Sequence, residues 1–173
     1  MSDRLFGLDP VVSGESRVLI VGSFPSLLSL RHQEYYANPR NDFWRIMERN
    51  LGIPAYLPYS ERTSLICGQG IALWDVVRSC RRTGSADAAI RDPEPAAIPH
   101  LLISHPLITC IFCNGRAAEK GLQAALLTDE SGDLFRYPDI RYLPSTSPAH
   151  AIPFERKCAA WQEVVLFSRE SGS

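Results

Sequence analysis

The sequence predicts an α/β fold in three layers, with a mostly parallel four-stranded central sheet flanked by helices. The run Val18–Val21 is apolar at every position, which is typical of a strand buried on both faces, and three further short runs are largely apolar. Patterns with helical spacing separate several of these runs, and strands that alternate with helices favour a parallel sheet. The 173 residues fit one domain that spans residues 1–173.

The first predicted elements are a strand at Val18–Val21 and a helix at Asn41–Asn50. Leu51–Ser64, which contains proline and tyrosine, is predicted to be a connection. Gly52 stands where a C-cap glycine would end the helix. The residues of one apolar stripe on this helix are Phe43, Ile46, Met47 and Leu51.

The middle of the chain supplies two further strands. Ile71–Trp74 forms the second and ends at Asp75, and Leu107–Cys113 forms the third. Arg81–Glu94 is polar and rich in small residues, which favours a loop around a short helix. A helix at Arg116–Leu127 follows the third strand.

The last part of the chain completes the alternation. Thr128–Asp133 is predicted to be a turn, Ile140–Leu143 a fourth strand, and a final helix starts near Pro153. The apolar face of that helix consists of Phe154, Cys158, Trp161 and Val165.

Polar residues follow each predicted strand. They are Ser23–Ser26, Asp75, Asn114 and Ser145–Ser147. The carboxyl ends of parallel strands meet at one edge of a sheet, where open α/β sheets bind ligands. We therefore expect these four loops to form one site.

The charge balance gives no general support for nucleic-acid binding, because the formal net charge is −1. Two local basic clusters are candidates for phosphate binding, and the alternative is that both are ordinary solvated surface charges. The first contains Arg31, His32, Arg40 and Arg45, and the second contains Arg78, Arg81 and Arg82. No apolar run is long enough to cross a membrane and the N-terminus lacks a leader pattern, so a cytoplasmic location is expected.

The cysteines favour neither disulfides nor a metal centre. Their number is five, an odd count that argues against a disulfide framework. Cys110 and Cys113 have metal-ligand spacing, but they lie in an apolar strand. Residues three apart in a strand point to opposite faces, so these two sulfurs cannot share a ligand.

The chain carries three long motifs, which are G-S-F-P-S from Gly22, Y-Y-A-N-P-R-N-D-F-W from Tyr35 and L-P-S-T-S-P-A from Leu143. They resemble those of the uracil-DNA glycosylase superfamily. The branch of hypoxanthine-DNA (deoxyinosine) glycosylases is the most similar. The resemblance implies the fold of that superfamily and a monofunctional DNA glycosylase that excises a deaminated base in base excision repair. Hypoxanthine is favoured, with uracil or xanthine as alternatives. It implies DNA as the partner, no cofactor, no metal, and a monomer.

Asn41 is the candidate catalytic residue, because the resemblance matches it to an asparagine that is important for activity. Its amide oxygen can hold a water molecule in line for attack. The alternative is an ordinary helix N-cap. Phe24 stands where several relatives carry Asp or Asn, so no acid–base group is available at that position.

Tyr36 and Asp75 are the candidates for holding and reading the base. By resemblance Tyr36 stacks on the flipped base, and otherwise it is a packing residue. An ionised Asp75 accepts the N1–H of hypoxanthine and repels the N1 lone pair of adenine. This discrimination fails if Asp75 is protonated, and a helix N-cap is its structural alternative.

The remaining candidates lie in turns. Gly22 and Ser23 belong to the turn that presents backbone N–H groups, and Asn114 contacts the base or a phosphate, or is a simple strand-to-helix turn. The loop that resembles the second superfamily motif clamps phosphates and enters the duplex. Its candidate residues are Ser145, Ser147, Pro148, Ala149 and His150.

Two other functions are compatible with the sequence. One is a catalytically inert module of the same fold that binds nucleic acid or a nucleotide. The other is a small-molecule hydrolase with Ser23 or Ser145 as nucleophile, but G-S-F-P-S lacks the pattern of a nucleophile elbow.

Overall fold

The computed structural model describes residues 3–128 and 137–170. Its strands are β1 (Arg4–Phe6), β2 (Val18–Gly22), β3 (Ile71–Asp75), β4 (Val77–Arg81), β5 (Arg91–Pro95), β6 (Cys110–Asn114) and β7 (Asp139–Leu143). Its α-helices are α1 (Leu27–His32), α2 (Phe43–Leu51), α3 (Tyr59–Gly68), α4 (Ile98–Ser104), α5 (Arg116–Leu126) and α6 (Phe154–Arg169).

The central sheet has four strands in the order β3-β2-β6-β7. Every neighbouring pair is parallel. The predicted four-stranded parallel sheet is therefore confirmed. β2 is buried at every position, as its unbroken apolar run indicates.

Alternate residues of the sheet face two separate cores. Ile20 and Phe112 pack with α2, α3 and α6 on one face, whereas Val21 and Ile111 pack with α4 and α5 on the other. The three-layer arrangement is therefore confirmed. Cys110 and Cys113 lie in opposite cores, as the strand geometry predicts.

A second, antiparallel sheet has the order β1-β4-β5. It corrects part of the prediction of a loop around a short helix at Arg81–Glu94. The short helix is present as the 3₁₀ helix Asp87–Ala89, but Arg81 ends β4 and residues 91–94 belong to β5. β5 is exposed throughout and contains two prolines, which an edge strand tolerates. Its sequence therefore carries no periodic apolar signal.

Several predicted boundaries also change. Helix α2 begins at Phe43 rather than Asn41, and β6 begins at Cys110 rather than Leu107. The predicted connection at Leu51–Ser64 contains the first turns of α3, whose only buried residue is Ile66. Helices α1 and α4, which have six and seven residues, were not predicted.

Other details agree with the predictions. Gly52 ends α2 in the left-handed conformation, with its N–H on the carbonyl of Glu48 at 2.9 Å. One detail differs: on α6 the buried valine is Val164, whereas Val165 of the predicted apolar face is only partly buried. Of the predicted turn at Thr128–Asp133, only Thr128 belongs to the described residues, and the rest lies outside them. Among the described helices, none is long and apolar enough to cross a membrane.

Candidate active site

A cleft of about 570 Å³ opens at the carboxyl edge of the central sheet. Gly22, Asp75 and Asn114 are the last residues of three of its strands, and all of them line the cleft. The predicted convergence of these loops is therefore seen in the structure. The volume is within the roughly 300–1,000 Å³ range of small-molecule sites.

The cleft brings together nearly all the residues predicted from sequence. Its lining includes Gly22, Ser23, Phe24, Tyr36, Asn41, Asp75, Asn114, Ser145, Ser147, Pro148 and Ala149. His150 is the predicted site residue that does not line it.

Gly22 leaves room for the Asp75 carboxyl group. The two residues are direct neighbours in the β2–β3 register. A Cβ atom at position 22 would lie 2.5 Å from Asp75 Oδ1, and that distance is too short for any side chain. Glycine at this position is therefore a steric requirement of the site.

Asp75 is a buried carboxyl group with unused hydrogen-bonding capacity. Its side chain is 5% exposed, and its Oδ2 atom has no hydrogen-bond partner among the described residues. Its pKa is raised to about 7, chiefly by burial and also by the charge of Asp87, while the charge of Arg82 opposes both. Near neutral pH both protonation states of Asp75 are therefore populated.

Ser23 and Phe24 form the wall that follows β2. The Ser23 hydroxyl donates a hydrogen bond to the carboxylate of Asp87. Phe24 is buried, and the guanidinium of Arg82 lies 5.0 Å from its ring centroid. The motif position that carries an acid or amide in several relatives is thus an apolar wall here.

Tyr36 presents a partly exposed aromatic ring to the cleft. Its ring stacks on Phe43 with centroids 4.1 Å apart and planes 22° apart. Its hydroxyl accepts a hydrogen bond from the Asn114 amide at 3.2 Å. The φ angle is 56°, which is rare for a residue other than glycine and stores strain that often accompanies a functional role.

Asn41 both contacts the helix and lines the cleft. Its Oδ1 atom accepts the N–H of Phe43, the first residue of α2, at 2.9 Å, although the N-cap residue itself is Asp42 rather than Asn41. A carbonyl oxygen has a second lone pair, which leaves capacity for a water molecule. The contact of Asn41 with the helix is therefore compatible with a role in holding water.

Asn114 joins three parts of the site. Its amide nitrogen donates to Tyr36 and to the Thr146 hydroxyl, and its Oδ1 accepts the Thr146 N–H at 2.9 Å. These bonds occupy both ends of the amide. Its observed contacts therefore brace Tyr36 against the loop after β7.

The loop at residues 144–150 is tied to the start of α2. The Thr146 carbonyl accepts the N–H of Asp42 at 2.9 Å. Lys157 of α6, which is 2% exposed, donates to Asp42 at 3.0 Å and to the Ser147 carbonyl at 3.4 Å. This ion pair fixes the residue next to Asn41 relative to the loop.

Sequence reasoning missed two charged residues at the cleft. Arg82 is buried, so it does not belong to the exposed basic cluster predicted with Arg78 and Arg81. Asp87 lies on the cleft wall formed by residues 85–88. The only signal in the sequence was the turn-like composition of this segment.

These observations define an α/β protein with a polar and aromatic cleft at the carboxyl edge of its sheet, an arrangement that suits a flat polar ligand. A model of the uracil DNA glycosylase superfamily matches residues 10–166. The chain therefore belongs to the uracil DNA glycosylase superfamily, and the DNA glycosylase class predicted from its motifs is confirmed.

Individual relatives agree with this membership. A hypoxanthine DNA glycosylase from Methanosarcina acetivorans is 32% identical over 159 residues, which cover 91% of this chain and 96% of the relative. One from Methanosarcina barkeri is 30% identical over 135 residues, 73% of this chain and 85% of the relative. A solution NMR structure of a protein from M. acetivorans, provisionally described as a uracil DNA glycosylase, superposes with a TM-score of 0.80 at 28% identity. The match covers 97% of this chain and 100% of that one.

Proposed function

We propose that this DNA glycosylase hydrolytically excises hypoxanthine from DNA that contains deoxyinosine. The observation that carries the proposal is the buried carboxyl group of Asp75, which has a free oxygen in a cleft that Tyr36 also lines. The names of the two Methanosarcina relatives support the same base.

Tyr36 and Asp75 hold and read the flipped base. Stacking of a base on an aromatic ring contributes roughly 1–3 kcal/mol. The ionised Asp75 accepts the N1–H of hypoxanthine, whereas the N1 of adenine presents a lone pair to it. Uracil and xanthine also carry an N–H at the matching edge and remain alternative substrates.

Asn41 positions the water molecule that attacks C1′ of the deoxyribose. The glycosidic bond breaks as the base leaves with the bonding electron pair, the water oxygen bonds to C1′, and the proton that the water loses neutralises the departed base anion through solvent. An amide contributes here by orientation rather than as a strong base. Phe24 excludes bulk water from this wall and supplies no proton transfer.

The loop after β7 contacts the DNA backbone. Ser145 and Ser147 supply hydroxyl groups and backbone N–H groups for phosphates. Pro148 and Ala149 are exposed at the cleft rim, and with His150 they are the candidates for entry into the duplex.

The lysines support hydrolysis without a Schiff base. Lys157 is buried and paired with Asp42, and Lys120 is exposed on α5. Neither lines the cleft. The cleft therefore contains no lysine amine that could attack the sugar and form a covalent imine.

Single-turnover excision from oligonucleotides tests the proposal. Each oligonucleotide carries one hypoxanthine, uracil, xanthine or undamaged adenine. We expect hypoxanthine to be released fastest and adenine slowest. Release of uracil but not hypoxanthine would overturn the assignment of the base. DNA binding without any release would favour the inert binding module.

A further inference from the structure

The loop between β4 and β5 places two opposite charges near Asp75. Asp87 lines the cleft and accepts the hydrogen bond of Ser23. Arg82 is 4% exposed and donates to the carbonyl of Pro25, which holds the turn after β2 in place. Neither residue belongs to a motif that the sequence analysis identified.

Both Arg82 and Asp75 are buried with incomplete hydrogen bonding. The Nε and Nη1 atoms of Arg82 and the Oδ2 atom of Asp75 have no hydrogen-bond partner among the described residues. Buried charges that lack direct partners interact strongly through space, because little water screens them. The charge of Asp75 therefore depends on the charged groups around it.

We propose that Asp87 and Arg82 together set the charge of Asp75 and thereby decide which base edges the cleft accepts. This inference rests on the proposed function, since it assumes that Asp75 reads the base. Asp87 favours the neutral carboxyl group by like-charge repulsion, and Arg82 favours the carboxylate.

The two states of Asp75 recognise different edges. The carboxylate only accepts hydrogen bonds, which suits the N1–H of hypoxanthine. The neutral carboxyl group also donates, and it can donate to the N1 lone pair of adenine. Selectivity for hypoxanthine over adenine therefore rises with pH as Asp75 ionises.

The other titratable groups that act on Asp75 stay neutral near pH 7. They are the hydroxyl groups of Tyr35, Tyr36 and Tyr59, and burial raises the pKa of each. They therefore remain protonated between pH 5 and 9. Among the described residues, Asp87 and Arg82 are the charged groups that shift the titration of Asp75.

The first test measures the titration of Asp75 directly by NMR of the ¹³C-labelled carboxyl group, assigned with Asp75→Asn. We expect a midpoint near pH 7 for the wild type. Asp87→Asn lowers the midpoint and Arg82→Gln raises it, each by about half a pH unit or more. Asp92→Asn, which changes an exposed acid on β5, is the matched control and leaves the midpoint in place.

Midpoints that stay fixed, or that move in the same direction in both variants, would overturn the inference. Arg82→Lys keeps the charge and should restore the midpoint toward the wild-type value. If Arg82→Gln fails to fold, the exposed Asp87 still provides the test, because its replacement removes no buried group.

The second test measures single-turnover release of hypoxanthine and adenine at pH 6 and pH 8. We expect the ratio of the two rates to be larger at pH 8, and Asp87→Asn to move this change to lower pH. A ratio independent of pH, or no adenine release at pH 6, would overturn the selectivity. Absence of hypoxanthine release would overturn the proposed function, while the NMR midpoints still test control by Asp87 and Arg82.

Discussion

At the scale of single residues, the site combines ordinary structural contacts with spare capacity for ligands. Asn41 accepts the first N–H of α2 with one lone pair of its amide oxygen, and Asp75 is buried without a partner for Oδ2. A carboxyl group in that position destabilises the folded protein when it is charged. Its presence indicates that function at this position lowers the free energy of unfolding.

The raised pKa of Asp75 predicts how the free energy of unfolding depends on pH. Its pKa is about 7 in the folded protein, against 3.8 for an ordinary solvated aspartate. Between these values the folded state binds more protons than the unfolded state, so the free energy of unfolding falls as pH rises. The contribution is about 1.4 kcal/mol for each pKa unit.

Asp75→Asn should therefore remove this loss and give a higher free energy of unfolding than the wild type at pH 8. Urea denaturation at pH 4, 6 and 8 measures the difference, and Asp92→Asn is the exposed control. A wild-type stability that rises between pH 4 and 8 as steeply as that of Asp75→Asn would contradict the raised pKa.

The sequence predicted the site residues that directly follow apolar strands or belong to the three motifs. It missed the place of Asp87 on the cleft wall and the burial of Arg82, because composition does not reveal which side chains line a cleft or become buried. It identified Asn114, but could not show that both ends of its amide are occupied within the protein.

At the scale of elements, the site depends on how α2 and α6 are joined to the loop after β7. Lys157 and Asp42 form a largely buried ion pair between the two helices. Removal of one partner of such a pair leaves an uncompensated charge and costs about 3–5 kcal/mol.

Lys157→Met should lower the free energy of unfolding by less than this full amount, because the exposed Arg45 still pairs with Asp42 at 2.8 Å. The stability falls because the carboxylate of Asp42 loses its buried partner. Lys120→Met replaces an exposed lysine on α5 and is the control. In the double variant with Asp42→Asn, the loss should be smaller than the sum of the single losses. Equal stability of Lys157→Met and Lys120→Met would show that the ion pair contributes nothing.

The elements that the sequence predicted well are those with continuous apolar runs. β2, β3 and β6 are buried on both faces, and their sequences show it. β4 and β5 pair directly with each other in a small antiparallel sheet of largely polar residues, so their sequences lack the apolar run that marks the central strands. Helix α1 spans less than two turns, which is too short for a periodic signal.

At the scale of the whole molecule, a chain with net charge −1 must bind DNA through a local basic surface. Arg31 and Arg40 are exposed on either side of the segment that carries Tyr36. By contrast, Arg45 and Arg49 are paired with Asp42 and Glu155. Arg31 and Arg40 are therefore the better candidates for phosphate contacts.

Arg40→Gln should weaken binding to DNA duplexes of different sequence to a similar extent. It should also reduce the slope of log K against log salt concentration by about 1. Arg169→Gln makes the same charge change at the end of α6, where Ser168 lies beside Gly70 at the amino edge of the sheet. Fluorescence anisotropy over a range of salt concentrations compares the two. An equal effect of both variants would show that only net charge matters.

The most direct test of the account is the single-turnover rate of hypoxanthine release for the wild type, Asn41→Ala and Asn41→Ser. Serine can still accept the N–H of Phe43, so it preserves the contact with the start of α2 but withdraws the amide from the water site. We expect both variants to lose about 100-fold or more in rate, with Asn41→Ser as stable as the wild type. Near wild-type release by Asn41→Ser would contradict the account and leave Asn41 with only its contact to the start of α2.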